Sequence, residues 1–151
     1  FQTARLSGAA EAASPLYPGV ADVIEALSGR AHVVLGIATG NSKRGLDHLM
    51  KLHGWGPHTF ATVQTADFHL SKPHPSMVET CLAETGVPPE QAVMVGDTTF
   101  DMEMARSAGV PGIGVRWGYH AAEDLRLAGA VAVLNRVADL PIHLDQRWGI
   151  Q

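Results

Sequence analysis

The stretch Val93 to Asp101, VMVGDTTFD, passes from an apolar run through Gly96 into two aspartates four positions apart, with Thr98 and Thr99 between them. An apolar run of this length that stops at a glycine reads as a buried strand, and the residues beyond it read as the start of a helix. A strand tip meeting a helix N-terminus holds Asp97 and Asp101 in fixed places, as a hard divalent cation requires of oxygen ligands. A second reading needs no metal. Asp97 caps the following helix, and Asp101 is a first-turn acid favoured by the helix dipole. From these nine residues alone, both readings stand.

Working outward, the same strand-then-helix rhythm repeats. Val20, Val23, Ile24 and Leu27 follow the i, i+3, i+4, i+7 spacing of an amphipathic helix, with Gly29 placed for a left-handed C-cap. His32 to Ala38 follows as a nearly continuous apolar, β-branched run. Helices are expected over 43–52, 76–85, 100–108 and 121–128, stopping at Gly54, Gly86, Gly109 and Gly129. Strands are expected over 60–64, 92–96, 112–115 and 131–134. Strands alternating with helices define an α/β class, with a mainly parallel sheet covered on both faces.

A chain of 151 residues with 46% apolar residues is one domain of ordinary size. The single Cys81 sits in the apolar pattern Met77, Val78, Cys81, Leu82, so a core role is expected and a disulfide framework is excluded. A net charge of -4 without a basic run lacks the footprint of a nucleic-acid binder. The longest apolar segments are strand-sized and no leader pattern opens the chain, so membrane insertion is not expected and a reducing, cytoplasmic setting is. His48, His53 and His58 recur at five-residue spacing without a metal motif, which suits scattered surface histidines.

In open parallel sheets, ligands collect beyond the carboxyl ends of the strands. Three places qualify. Thr39-Gly40-Asn41-Ser42 offers a hydroxyl and open backbone N–H groups at a helix start, where a helix cap by Asn41 or Ser42 is the alternative. Ser71-Lys72-Pro73-His74-Pro75 presents a lysine in a proline-stiffened turn, with Pro75 suited to a first helical position and His74 fit for either a turn or a site role. The third is the pair Asp97 and Asp101. Trp117, Gly118 and Tyr119 follow the 112–115 strand and suit packing beneath the last helix, or the site mouth.

With these motifs in order, the chain resembles the haloacid dehalogenase superfamily, in its phosphoglycolate-phosphatase-like branch. The resemblance runs from about Leu16 to Leu140. It rests on LYPGV (16–20), IATGN (37–41), SKPHPSM (71–77), GVPPEQAVMVGDTTFDMEMARSAG (86–109), and GVRWGY (114–119) with LAGA (127–130). It implies a Rossmannoid three-layer α/β/α fold and a magnesium-dependent phosphatase acting on a small phosphorylated metabolite. It assigns phosphoryl binding to Thr39, Gly40 and Asn41, a catalytic lysine to Lys72, and magnesium ligands to Asp97 and, directly or through water, Asp101. The chemistry agrees, because a lysine, a hydroxyl, N–H groups and a cation all stabilise the charge spread over a transferring phosphoryl group. Two ionised carboxylates about 4 Å apart repel by roughly 4 kcal/mol at an effective dielectric near 20, which also calls for a cation or lysine beside them.

One motif is missing. The family opens with a strand ending in DxDGT or DxDGS, whose first aspartate attacks phosphorus, and no Asp-x-Asp occurs in this chain. The resemblance therefore implies a chain whose first, central strand is absent, leaving neighbours about 9 to 10 Å apart. Residues 1–14 are expected to be the remnant of a helical cap and linker, and residues 15–151 the C-terminal portion of the hydrolase core. The parent protein is then expected to be a phosphatase working through an aspartyl-phosphate, and this portion alone to be inactive. Two alternatives stand: a non-catalytic phosphate- or metal-binding remnant, and a 2-haloacid dehalogenase, against which the GDTTFD pair argues.

Overall fold

The computed structural model describes residues 3–7, 19–40, 42–116 and 121–148. Among the described residues, six strands form one sheet: β1 (Thr3–Ser7), β2 (Val33–Ala38), β3 (Thr62–Gln64), β4 (Ala92–Gly96), β5 (Gly112–Val115) and β6 (Ala130–Leu134). Their spatial order is β3-β2-β1-β4-β5-β6, and every pairing is parallel. Among the described residues, six α-helices connect or follow them: α1 (Val20–Ser28), α2 (Lys43–His53), α3 (Ser76–Thr85), α4 (Thr99–Ser107), α5 (Ala122–Leu127) and α6 (Leu140–Trp148). The expected α/β architecture is the observed one.

The parity of the strands sets the layers, since alternate residues face opposite sides. Leu35, Ile37, Val93, Val95, Ile113 and Val115 bury against α1, α6 and Leu46 of α2. Ala38, Ala92 and Met94 bury on the opposite face against Met77, Val78 and Cys81 of α3 and Met104 and Ala105 of α4. Leu125 of α5 joins Met102 there, beside β5 and β6. Strands covered on both faces read as unbroken apolar runs, which is why VVLGIA and AVMVG were recognisable.

The expectation of a vacant central slot is corrected. Residues 3–7 fill it, with Thr3 to Ser7 paired to Val33 to Ile37 on one side and Ala4 to Ser7 paired to Ala92 to Val95 on the other. The physical reason is the one that made a vacancy implausible: two ladders without partners in the middle of a core leave backbone groups unsatisfied. The cap-helix reading therefore fails over Thr3–Ser7, and residues 8–14 lie outside the described residues. Gly29 is also corrected, since its φ of -82° is right-handed. Gly54, Gly86, Gly109 and Gly129 do take positive φ, as expected after helix ends. Helix α6 was not anticipated; Leu140 and Leu144 bury its inner face, and Arg30 of the α1 end pairs with Asp145 at 2.6 Å.

A candidate phosphoryl-binding site at the carboxyl edge of the sheet

The sheet register brings the sequence motifs to one edge. Ser7 at the end of β1 pairs with Ile37 on one flank and Val95 on the other. Thr39 and Asp97 each lie two residues further along, so their backbones stand at the same height on either side of the central strand, about 9 to 10 Å apart. Both are withdrawn from solvent, Thr39 at 0% and Asp97 at 4% exposure. The Thr39 N–H donates to the Gln64 carbonyl at 3.1 Å, which fixes the chain as it leaves β2. Among the described residues, nothing lies within 4 Å of a Cβ placed on Gly40. Asn41 lies outside the described residues, and the cap of α2 is Ser42, whose hydroxyl accepts from the Gly45 N–H at 3.2 Å.

At the start of α4 the capping reading is corrected in detail. The N-cap is Thr98, not Asp97: the Thr98 hydroxyl accepts from the Asp101 N–H at 3.2 Å, while Asp101 Oδ2 accepts from the Thr98 N–H at 3.3 Å and its hydroxyl at 2.9 Å. This is a reciprocal capping box, and it leaves Asp97 outside the helix at the strand tip. The other oxygen of Asp101 accepts from Lys72 Nζ at 2.6 Å, with the lysine side chain 10% and the aspartate 0% exposed. Lys72 and Asp101, 29 residues apart in the chain, thus meet in a buried ion pair, with Asp97 at the tip of the strand that leads into α4.

The donor set fits a magnesium ion in one specific manner. Magnesium keeps several waters and binds through one or two carboxylates plus substrate oxygens. No group of three or more His, Cys, Asp or Glu side chains suited to a metal occurs among the described residues. Such an ion would be held by Asp97 at the strand tip, with Asp101, whose oxygens accept from Thr98 and Lys72, reached directly or through water. Cysteine chemistry is excluded here, since burial pushes the Cys81 thiol up to about 12, with Thr62 opposing and Glu84 adding to the rise. Such a thiol is a packed core group.

Three further sequence readings resolve. Pro75 caps α3 and Ser76 is its first residue. His74 has the turn role, its Nδ1 accepting from the Ser76 N–H at 3.1 Å. His53 stacks on Trp55 with ring centroids 4.5 Å apart, a packing contact. Trp117, Gly118 and Tyr119 lie outside the described residues. A cavity of about 640 Å³ opens beside edge strand β3, lined in part by Met50, Trp55, Phe60 and Val63, and it includes none of Thr39, Lys72 or Asp97. The candidate site is thus marked by the buried Lys72–Asp101 pair and not by this cavity. Sequence reasoning missed His69 and Gln64, which are hydrogen-bonded to each other behind the Lys72 loop. Neither sits in a recognisable motif.

A parallel sheet with helices on both faces, and a threonine, a lysine and paired acids at its carboxyl edge, defines a Rossmann-like hydrolase core. The family described as haloacid dehalogenase-like hydrolase matches residues 5–115, and the chain belongs to it. It is 31% identical over 126 residues to the "Probable phosphatase IndB" of Dickeya dadantii, covering 83% of this chain and 54% of that protein. It is 28% identical over 131 residues to the phosphoglycolate phosphatase of Escherichia coli, covering 87% and 52%. Among solved structures, CbbY from Rhodobacter sphaeroides in complex with phosphate superposes with a TM-score of 0.71 at 30% identity, covering 83% of this chain and 56% of that one. The chain spans about half the length of the curated relatives it matches.

Proposed function

We propose that this chain is the core portion of a magnesium-dependent phosphatase acting on a small phosphate monoester of the phosphoglycolate kind. The observation that carries the proposal is the buried Lys72–Asp101 pair on the first turn of α4, together with Asp97 at the preceding strand tip, level with Thr39 across the central strand. In this reading the Thr39 hydroxyl and the Gly40 N–H hold phosphoryl oxygens, and the resemblance assigns Asn41, next in sequence, to the same group. Lys72 neutralises the charge that develops on them, and Asp101 holds the lysine in place. Magnesium, when bound through Asp97 and waters, supplies a Lewis acid for the same oxygens. The names of the relatives support the reading, as does the phosphate complex of the structural neighbour CbbY.

The nucleophile is a separate matter. The central strand ends at Ser7 and runs on into Gly8-Ala9-Ala10, so no carboxylate follows it where the family places its attacking aspartate. In this reading an aspartyl-phosphate step needs a nucleophile from a longer parent whose own first strand would take the central place that residues 3–7 hold here, and this chain alone is expected to release no phosphate above background. Accelerations of phosphate-monoester hydrolysis reach about 10²¹, a scale that electrostatic residues alone do not supply.

The test is phosphate release by the parent protein, with and without magnesium. Asp97→Ala and Lys72→Ala are expected to lower turnover by roughly 10²-fold or more, the scale of a lost electrostatic contact to a transition state. Lys72→Ala also strands the buried Asp101 carboxylate, at a cost of up to about 3 to 5 kcal/mol, so its folding is checked alongside. Full magnesium-dependent activity in a folded Asp97→Ala parent would overturn the assignment.

A further inference from the structure

Lys72 can act on a phosphoryl group only if its loop is held still, and the structure shows a device that holds it. The loop is tied across its base: His69 Nδ1 lies 2.6 Å from the Ser76 hydroxyl, seven residues later. Within it the His74 N–H donates to the Ser71 carbonyl at 3.0 Å. Lys72 sits between these ties and reaches Asp101 at 2.6 Å.

His69 is in turn fixed from behind. Gln64 Nε2 donates to Glu84 Oε1 at 3.0 Å and to Thr62 Oγ1 at 3.2 Å, and the Thr62 hydroxyl donates to the same Glu84 oxygen at 2.6 Å. An ionised carboxylate only accepts, so the amide nitrogen of Gln64 must face Glu84 and its oxygen must face His69. That oxygen lies 2.7 Å from His69 Nε2, which therefore carries the proton. In the neutral ring Nδ1 is then an acceptor, and it receives the Ser76 hydroxyl proton. With a neutral His69 ring, only this proton arrangement satisfies the whole row. Gln64 also joins the two halves of the site, because its carbonyl takes the Thr39 N–H while its side chain orients His69.

We propose that His69, oriented through Gln64 by Glu84, is a positioning residue that staples the loop base at Ser76 and so sets Lys72 against Asp101 at the sheet edge. The proposal rests on the phosphatase reading for its purpose, but the staple is testable without turnover. The first readout is the ¹⁵N spectrum of the His69 ring in this chain, expected to show a protonated Nε2 and an unprotonated Nδ1. The second is the exchange of the Lys72 ammonium protons with water. Ser76→Ala and His69→Leu each remove the tie and are expected to speed that exchange roughly fivefold, the equivalent of one ordinary hydrogen bond. His69→Asn, whose amide oxygen can stand where Nδ1 stands, is expected to restore slow exchange. If His69→Leu does not fold, Ser76→Ala, which deletes one hydroxyl in a first helical turn, carries the test. Unchanged Lys72 exchange in folded Ser76→Ala, or a ring protonated on Nδ1 alone in the native chain, would overturn the staple. Absence of magnesium-dependent phosphate release by the parent would sink the phosphatase reading and leave these two signatures to decide the role of His69.

Discussion

Gly96 stands where Asp101 needs the space. A Cβ built on it would lie 2.5 Å from Asp101 Cβ and 2.6 Å from both its Cγ and Oδ2, distances no side chain tolerates. The glycine of the GD pair thus follows from packing: a residue with a side chain would push Asp101 off the strand and away from Lys72. Gly96→Ala is expected to destabilise the chain by about 1 to 3 kcal/mol, the usual cost of forcing an atom into a filled core. Urea denaturation measures it, and a variant as stable as the parent chain would mean that Asp101 does not lie over Gly96. The same residues show why the sequence left the metal and capping readings tied. Asp97 and Thr98 are both good caps, and only the observed reciprocal bonds of Thr98 and Asp101 release Asp97 to the strand tip.

Helix α4 holds Asp101 on its first turn, so under the proposed function its cap serves the site as well as stability. Thr98→Ala removes the hydroxyl that receives the Asp101 N–H and steadies Asp101 Oδ2. It is expected to cost about 0.5 to 2 kcal/mol by thermal unfolding, with Thr98→Ser recovering most of that loss, since serine caps a helix as well as threonine does. Equal stability of Thr98→Ala and the parent chain would show the capping box to be idle. At this scale the sequence was widely legible. Lys43–His53 and Ser76–Thr85 match their apolar spacing and end at glycines of positive φ, because the C-cap conformation has a residue-type signature. Gly29 had the same signature and a different conformation, since its N–H bonds back to Leu27 with a right-handed φ. The Ser76–His69–Gln64–Glu84 row was illegible because it is made of ordinary polar residues whose meeting depends on β3 lying beside α3.

For the whole molecule, the central strand is the feature that the sequence hid and the sheet requires. TARLS alternates polar and apolar residues and is followed by an alanine-rich run, so nothing in it resembles the unbroken apolar runs of β2 and β4. What selects it is the slot itself: β2 and β4 each offer it a ladder, and together they bind all five of its residues. A slot left empty would hold β2 and β4 about 9 to 10 Å apart, too far to pair with each other and too deep for solvent to satisfy the freed backbone groups. The candidate site depends on the same strand, because Thr39 and Asp97 keep their common height only while one strand spaces them. Deleting residues 1–14 is therefore expected to abolish cooperative unfolding and, with it, the slow exchange of the Lys72 ammonium, whereas replacing Arg5 or Ser7 singly leaves the backbone ladder in place. Denaturant titration followed by far-ultraviolet circular dichroism reads the first effect. If the shortened chain unfolds with the midpoint and slope of the full one, then residues 3–7 do not hold the middle of the sheet, and the level alignment of Thr39 with Asp97 must come from β2 and β4 pairing in some other order.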